Sequence, residues 1–206
     1  MNSGKRMMNN YKKEIAKEEL AGYDVIAFDG EIVCIDDYDQ VDEVMAFLWN
    51  SRFVGFDTET KPSFRKGQKN IVSLLQLSAD GRAFLFRLNK IGLPEKVARF
   101  LSSDDIIKVG VAIHDDIKAL KLLREFNPGG FVDLQDMVKD YGITSSGLRK
   151  LTAIILGYSI SKRQQVSNWE NEILTPSQKV YAATDAWVCM KIYEKLLNGS
   201  KVRKDD

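Results

Sequence analysis

FVGFDTET, which runs from Phe53 to Thr60, is an apolar stretch that ends in two carboxylates separated by one residue. Side chains of a β-strand alternate between the two faces of a sheet, so Asp57 and Glu59 would point the same way. Two like charges a few ångströms apart repel each other, and holding them together is costly unless a cation lies between them. The stretch therefore predicts a buried strand that brings two acids to a divalent metal ion at its open end.

Two further strands are predicted soon after the first one, which we expect to span residues 53–59. They cover residues 71–78 and 83–88, and Asp80-Gly81 between them is a hairpin turn signal. Because the three strands follow each other with short links, neighbouring strands are expected to run antiparallel.

The second half of the chain alternates between strands and helices. A buried strand is predicted over residues 106–113, a helix over 115–126 and a short strand over 131–132. The last and longest helix is predicted over 175–197, with Thr175 as its N-cap. Together these elements predict an α/β fold, a mixed five-stranded sheet of three antiparallel and then parallel strands, flanked by helices.

The length of the chain predicts one domain, because 206 residues are enough for one sizeable core and short for two. We place this domain at residues 23–200, between a polar, loosely attached N-terminal arm (1–22) and a charged tail (201–206). A short strand is also predicted at 31–35. The net charge of +1 creates no global attraction to nucleic acid, so any such binding must use local patches.

The cysteine content and the N-terminal residues indicate where the protein works. Cys34 and Cys189 are too few and too far apart for a disulfide framework or a thiolate metal site, which favours a reducing compartment. Residues 1–10 are polar and lack the apolar core of a signal peptide, and no apolar run approaches membrane-spanning length. We expect a cytoplasmic enzyme or binding protein with no membrane partner, and make no prediction of oligomeric state.

Three more candidate residues lie in the second half of the chain. Asp116 follows the strand predicted at 106–113, while Tyr181 and Asp185 are four positions apart and share one face of the last helix. Asp185 lies among small and apolar residues, where an unpaired acid is expensive to bury. Singly, these residues are explained by helix capping or core packing. Their joint occurrence with the first two acids indicates a metal site.

Three motifs occur in order along the chain. They are Phe56–Thr60, Lys108–Asp116, and a divided third motif made of Ser167-Asn168-Trp169, Leu174-Thr175 and Tyr181–Ala186. On these motifs the chain resembles the 3′–5′ exonucleases of the DEDD superfamily, in the DEDDy branch, of the Werner exonuclease and ribonuclease D type. The resemblance covers about residues 31–197, and the third motif is its most specific part.

The resemblance implies a ribonuclease-H-like fold and a metal-dependent phosphodiester hydrolase. Two divalent ions, Mg²⁺ or Mn²⁺, would be held by Asp57, Glu59, Asp116 and Asp185, and Tyr181 would orient or help to activate the attacking water. The implied substrate and partner is DNA or RNA with a free 3′ end. The implied products are nucleoside 5′-monophosphates.

Several residues are candidates for contact with the substrate. Thr58 and Thr60 flank the first acids, in a segment with which the family grips the terminal nucleotide. Gln76 either reaches the cleft or is an inward polar residue with a backbone partner. His114 either touches the substrate or is structural, and we slightly favour the structural role.

Basic residues in two loops are candidates for phosphate contacts. They are Arg65, Lys66 and Lys69 in the first loop, and Lys162 and Arg163 in the second. The alternative interpretation is that both segments are ordinary basic loops whose side chains face solvent.

Two acids and two tryptophans each have more than one conceivable role. Asp115 competes with Asp116 for the metal-binding role, and spacing favours Asp116. Asp133 could lie near the open end of the sheet, but helix capping explains it without a site. Trp169 and Trp187 could stack on bases, although core packing is the preferred interpretation.

Two activities besides that of a general exonuclease are compatible with the motifs. The first is a catalytically inactive nucleic-acid-binding module on the same fold, which would be expected to lack at least one of the acids. The second is a nuclease for short oligoribonucleotides, which only substrate tests would distinguish.

Overall fold

A mixed β-sheet of six strands runs through the centre of the protein. The computed structural model describes residues 11–62 and 70–201. The strands are β1 (Glu31–Ile35), β2 (Phe53–Thr60), β3 (Val72–Ala79), β4 (Arg82–Phe86), β5 (Ile107–Gly110) and β6 (Phe131–Asp133). Their order across the sheet is β1-β4-β3-β2-β5-β6, so β2, the strand that carries the first two acids, lies in the interior.

Helices cover both faces of this sheet. They are α1 (Val41–Leu48), α2 (Leu88–Ile91), α3 (Glu95–Ser102), α4 (His114–Leu123), α5 (Leu134–Met137), α6 (Leu148–Leu151) and α7 (Pro176–Lys201). Short 3-10 turns occur at Glu18–Gly22, Tyr38–Gln40 and Val138–Tyr141, and a π-helical segment, Thr152–Leu156, continues α6. Within the described parts of the chain, no helix has both the length and the apolar character needed to cross a membrane.

The pairing of the strands agrees with the predicted topology, with one strand added. β2, β3 and β4 pair antiparallel, and β5 and β6 extend the sheet from β2 in parallel. The sheet nevertheless has six strands where five were predicted, because β1 pairs in parallel with the outer edge of β4. Most side chains of β1 are only partly buried. The alternation of polar and apolar residues in its sequence is therefore weak. It predicted a short strand but did not indicate that this strand joins the sheet.

The long helix α7 lies directly against one face of the sheet and contacts β1 to β5. Three alanines without exposed surface, Ala182, Ala183 and Ala186, form its inner side. Gly55 of β2 lies beneath them, and a Cβ added there would come within 1.8 Å of the carbonyl oxygen of Ala186. The small residues therefore bring the backbones of β2 and α7 into direct contact.

Two apolar layers hold the helices to the sheet. On one face, Val54 and Phe56 of β2 belong to a core with residues of α1, α3 and α4. On the other face, Val109 of β5 packs with α5, α6, the π-helical segment and the second half of α7. The alternation along β2 thus buries Val54 and Phe56 in the first layer and turns Asp57 towards α7.

The N-terminal segment is packed onto the domain from Tyr11 onwards. Ile15 and Leu20 are buried and form a small cluster with Ala153 of the π-helical segment. The expectation of a loosely attached arm is therefore wrong for residues 11–22. Two apolar residues five positions apart fit neither the helix nor the strand period, so no periodic pattern indicates that this segment docks.

Candidate active site

Three acids meet where β2 passes under α7. Asp57 and Glu59 leave the same face of β2, and Asp185 comes from the middle of α7 above them. One carboxylate oxygen from each of the three lies within 4.8 Å of the other two. Asp185 is only 6 % exposed, and its Oδ1 atom has no hydrogen-bond partner among the described residues. The two acids predicted from the strand and the one predicted from the last helix thus form a single cluster.

Asp116 joins the cluster from the first turn of α4. Its Oδ1 atom accepts a hydrogen bond from the hydroxyl of Thr58, the residue between the two acids of β2. Asp116 lies outside the tight group of three, but its charge still raises the pKa of Asp57 and Glu59. Thr58 was expected to contact the substrate. Its hydroxyl also connects Asp116 to the strand that carries Asp57 and Glu59.

The electrostatics of the cluster favour a cation. Burial is the largest cause of raised pKa values at all four acids, and mutual repulsion adds to it at Asp57 and Glu59. The pKa of Glu59 rises to about 10 and that of Asp185 to about 7, while the pKa of Asp57 lies well above its usual range. Hard carboxylate oxygens, an unpartnered buried oxygen and unbalanced negative charge fit Mg²⁺ or Mn²⁺.

Tyr181 lies one turn before Asp185 on the same helix face. Burial, followed by the charges of Asp185 and Glu59, raises the pKa of its hydroxyl above the ordinary value. Its hydroxyl also lowers the pKa of Asp185 through a hydrogen bond, and its ring packs beside Trp169 with centroids 6.0 Å apart. Tyr181 is therefore a neutral, well-supported hydroxyl at the edge of the acid cluster.

The turn between β5 and α4 is held by Asp133, whose full role the sequence did not suggest. As predicted, its Oδ1 caps α5 by accepting from the amide of Gln135 at 2.8 Å. The same carboxylate also accepts from the amides of Ala112 and Ile113, at 3.1 and 3.2 Å.

Ala112 has a φ of +59°, which is unfavourable for a residue with a Cβ. Asp133 thus stabilises the strained turn that positions Asp116. The signal that could have found it is the parallel pairing of β6 with β5, which places Asp133 beside Gly110.

An open cleft of about 700 Å³ leads to the acids. Its floor contains Asp57, Glu59, Tyr181 and Asp185, and Thr58 lines it beside them. Its basic side chains are Lys17, Arg149, Lys150 and Lys162. Of these, Lys162 was predicted from the sequence, and its charge lowers the pKa of Asp185. The cleft therefore combines an acidic floor with positively charged walls.

Gln76, His114 and Thr60, three other predicted substrate contacts, are not among the residues that line this cleft. Gln76 is completely buried opposite Asp57, and neither of its amide atoms has a partner among the described residues, so neither of the two roles predicted for it holds. His114 is exposed at the start of α4. Thr60 ends β2 beyond a bulge that follows Glu59. The substrate role expected for Gln76 is incompatible with its complete burial.

The predicted basic residues fall into different places. Arg65, Lys66 and Lys69 lie outside the described residues. Arg163 lines a second cavity of about 380 Å³, which also borders Tyr181 and Asp185. Lys162 is thus the one predicted cation that the described parts of the chain place in the large cleft.

Burial decides the roles of Asp115 and of the two tryptophans. Asp115 is exposed and lies 3.8 Å from Lys118, so it faces solvent as expected. Trp169 has no exposed surface, and Trp187 packs on Phe28 with ring centroids 5.9 Å apart. Both tryptophans belong to the core, in agreement with the preferred interpretation.

Comparison with known proteins places this geometry in a family. A family model described as 3′–5′ exonuclease matches residues 32–200. The mouse bifunctional 3′–5′ exonuclease/ATP-dependent helicase WRN is 33 % identical over 165 residues, which are 76 % of this chain and 12 % of the mouse protein. Exonuclease 3′–5′ domain-containing protein 2 of Drosophila melanogaster is 38 % identical over 151 residues, or 70 % of this chain and 25 % of that protein. The chain thus spans at most a quarter of these relatives.

Solved structures share the fold. The EXO domain of Nibbler from Aedes aegypti superposes with a TM-score of 0.75 at 24 % identity, covering 82 % of this chain and 88 % of that domain. Escherichia coli RNase D gives a TM-score of 0.73 at 20 % identity, covering 83 % of this chain and 45 % of that enzyme. The sheet with its flanking helices is accordingly the ribonuclease-H-like fold of these nucleases, and with its sequence matched over residues 32–200 the chain belongs to the 3′–5′ exonuclease family.

Proposed function

We propose that this protein is a 3′–5′ exonuclease that hydrolyses the terminal phosphodiester of DNA or RNA and releases nucleoside 5′-monophosphates. One observation carries the proposal. Asp57, Glu59, Asp116 and Asp185 come from three separate elements and form one cluster, in which Asp57, Glu59 and Asp185 line an open cleft with Tyr181 at their edge. Clustered, buried acids destabilise the fold because their charges repel each other and are poorly solvated. Metal ions bound for catalysis would offset this repulsion.

The four acids are proposed to hold two divalent ions, either Mg²⁺ or Mn²⁺. Asp57, Glu59 and Asp185 form the tightest group and would hold one ion, while Asp57 and Asp116 would share the second. Such ions, when bound, supply the positive charge that activates a water molecule and stabilises the leaving 3′-oxygen. The protein contributes fixed ligand positions in a partly buried site, where charge interactions are stronger than in water.

Tyr181 is proposed to orient the attacking water. Because its pKa is raised, the hydroxyl stays protonated through the neutral range and can donate one hydrogen bond while accepting another. Its position beside Asp185 fixes where that hydrogen bond is offered. Trp169 supports the ring from behind, so the hydroxyl is placed by packing rather than by a flexible side chain.

Lys162 is proposed to bind the phosphate nearest the reaction. It lines the cleft and is close enough to Asp185 to lower the pKa of that acid. A lysine in this position can neutralise a phosphate oxygen without competing for the ligand positions of the ions. This local charge is needed because the chain as a whole carries a net charge of only +1.

The proposal is tested by digestion of 3′-labelled and 5′-labelled strands of DNA and of RNA, in Mg²⁺ and in Mn²⁺. We expect shortening from the 3′ end with nucleoside 5′-monophosphates as products. Asp57→Asn and Asp185→Asn should lower kcat by about 10²–10³-fold. The matched control is Asp115→Asn, because Asp115 is exposed and next to Asp116. We expect its activity to stay within about twofold of wild type.

Two results would contradict the proposal. The assignment of exonuclease activity is wrong if no 3′ end is shortened under any of these conditions. Binding of the strands without cleavage would then favour the inactive binding module. The site assignment is wrong if Asp57→Asn and Asp185→Asn digest at the wild-type rate. Cleavage limited to strands of a few ribonucleotides would favour the nuclease for short oligoribonucleotides.

A further inference from the structure

The N-terminal segment, residues 11–22, is held in place along one side of the domain. The amide of Thr144 donates to the carbonyl of Lys13 at 2.8 Å, and the amide of Ile15 donates to the hydroxyl of Ser145 at 3.3 Å. Ile15 is 2 % exposed and Leu20 is 3 % exposed. Backbone bonds and buried side chains thus fix the segment against the residues that precede α6.

The chain that follows this segment extends the attachment. The amide of Ser159 donates to the carbonyl of Asp24 at 2.8 Å, and the amide of Ile26 donates to the carbonyl of Ser159 at 2.9 Å. Further on, the amide of Phe28 donates to the hydroxyl of Thr184 in α7 at 2.9 Å. The segment is therefore anchored at both of its ends.

The same segment forms part of the wall of the active-site cleft. Glu14, Lys17 and Leu20 line the cleft together with the acids of the floor. Residues 144–150 complete this wall and contribute Arg149 and Lys150. A segment that precedes the first strand of the sheet thus borders the path to the catalytic acids.

The charges on this wall are available to a ligand. In the described parts of the chain, no carboxylate lies within 4.0 Å of the side-chain nitrogen of Lys17 or Lys150. By contrast, Lys12 of the same segment is paired with Glu19 at 3.0 Å. Arg149 is oriented by its bond to the hydroxyl of Ser159 at 2.8 Å. Because Glu14 is the single acid among the described residues of this wall, positive charge is in excess.

Lys17, Arg149 and Lys150 line a different part of the cleft from Lys162, which belongs to the lining segment at residues 160–165. Lys162 affects the pKa of Asp185, whereas Lys17, Arg149 and Lys150 are not among the causes of the raised pKa values at the acids. They are therefore placed to meet phosphates other than the one that is cleaved.

We propose that Lys17, together with Arg149 and Lys150, forms a subsite for the phosphate backbone of nucleotides upstream of the scissile bond. The N-terminal segment is then part of the substrate-binding site, and the preferred substrate is a single polynucleotide strand that reaches past the terminal nucleotide. This inference rests on the proposed exonuclease function. Its affinity comes from neutralising phosphates, so it should weaken with salt.

The experiment compares Lys17→Gln and Lys17→Glu with Lys13→Gln. Lys13 is an exposed lysine of the same segment whose side chain does not line the cleft. With a twelve-nucleotide substrate we expect Lys17→Gln to raise KM by about two- to fivefold, with kcat unchanged, and Lys17→Glu to raise it more. The logarithmic salt slope of binding should become shallower by about 0.7 for Lys17→Gln. Lys13→Gln should change neither quantity.

A second substrate separates this subsite from the chemistry. The p-nitrophenyl ester of thymidine 5′-monophosphate carries the reacting group but no upstream phosphate, so all three variants should hydrolyse it at the wild-type rate. Equal losses on ester and oligonucleotide would mean that Lys17 acts on the site as a whole, and would overturn the subsite. Equal KM values for Lys17→Gln and Lys13→Gln would overturn it as well.

Binding without turnover distinguishes failure of this inference from failure of the proposed function. Fluorescence anisotropy with 5′-fluorescein-labelled twelve-nucleotide oligothymidylate or oligouridylate measures affinity in Ca²⁺. If wild type binds and Lys17→Glu binds more weakly, the subsite stands even if no strand is digested. If strands are digested but both proteins bind equally, the exonuclease stands and the subsite is wrong. Thermal unfolding of each variant checks that the fold is intact.

Discussion

Gly55 of β2 lies so close to Ala186 of α7 that a Cβ at position 55 would stand 1.8 Å from the alanine carbonyl oxygen. This contact sets the distance between the strand that carries Asp57 and the helix that carries Asp185. A side chain at this point cannot be accommodated by a rotamer change, because it meets backbone on the other side. The separation of the acids thus depends on the absence of one methyl group.

Gly55→Ala is expected to push α7 away from β2. We expect the free energy of unfolding to fall by about 1–3 kcal/mol and kcat to fall by more than about tenfold, because overpacking here also separates metal ligands. Chemical denaturation and single-strand digestion measure the two effects. The control is Gly22→Ala, since no atom lies within 4 Å of a Cβ built at Gly22. A Gly55→Ala protein with unchanged stability would contradict the close contact.

Asp133→Ala is expected to loosen the turn that positions Asp116. The change leaves the amides of Ala112, Ile113 and Gln135 without their acceptor. We expect a loss of about 2–4 kcal/mol in stability and weaker Mn²⁺ binding, measured by denaturation and by calorimetry. Asp133→Asn keeps one oxygen acceptor and should fall between wild type and the alanine variant.

Asp136→Asn is the control for that experiment. Asp136 is an exposed neighbour that pairs with Lys139 on the surface at 2.7 Å. Surface pairs of this kind contribute little, so we expect a change within about 1 kcal/mol. If the Asp133 and Asp136 variants behaved alike, the bonds to the turn would not be important for the site.

Metal-free protein is expected to lose stability as the pH rises from about 5 to 8. The pKa of Asp185 is raised to about 7 and those of Asp57 and Glu59 lie above their ordinary values, so the folded state holds protons that the unfolded state releases. Such groups stabilise the fold below their unfolded pKa values, and this contribution is lost as the pH passes the folded values. Mn²⁺ should restore the loss, because it binds the deprotonated acids.

Thermal unfolding in EDTA and in Mn²⁺ at three pH values across this range measures the effect. Calorimetry in two buffers of different ionisation enthalpy should also detect proton release when Mn²⁺ binds. The double variant Asp57→Asn with Asp185→Asn is the control, and its stability should depend less on pH and on Mn²⁺. A metal-free wild type that became more stable over this range would contradict the electrostatics of the cluster.

Lys108, which lies in the core away from the cleft, gives the stability of the protein a second dependence on pH. Its side chain has no exposed surface, donates to the carbonyls of Ser103 and Ile106 at 2.5 and 2.7 Å, and lies between two aromatic rings. Burial lowers its pKa from the ordinary 10.5 to about 8. Between these values the unfolded chain binds a proton that the folded chain does not, so this group increases stability as the pH rises from about 8 to 10.5.

Lys108→Met removes that contribution. The difference in free energy of unfolding between wild type and variant should change in favour of wild type across this range, by up to about 3 kcal/mol. Urea denaturation below, within and at the upper end of the range measures it. Lys96→Met, at an exposed lysine paired with Asp42, should produce no such slope.

The acids could be predicted because each obeys a local rule. Asp57 and Glu59 share a strand face through the two-residue period, and Tyr181 and Asp185 share a helix face through the four-residue spacing. The small and apolar residues around Asp185 indicated a buried acid, and Asp185 is only 6 % exposed. The resemblance to a family then joined these local patterns into one site.

What the sequence missed depends on contacts between distant segments. The second role of Asp133 arises only when β6 pairs with β5, because that pairing brings its carboxylate to the amides of Ala112 and Ile113. Docking of the N-terminal segment rests on Ile15 and Leu20, which show no periodic pattern. The polar character of Gln76 suggested a role in the cleft, but it lies in the sheet interior opposite Asp57.

The position of Asp185 on the last helix has a consequence for protein synthesis. Asp57, Glu59 and Asp116 leave the ribosome first, and the residue that completes the cluster emerges only with α7. Because chains emerge from their N-terminal end, a nascent chain still lacking this helix has neither the fourth acid nor the layer that covers β2. The complete acid cluster, and with it the proposed activity, can therefore form only after α7 has been synthesised.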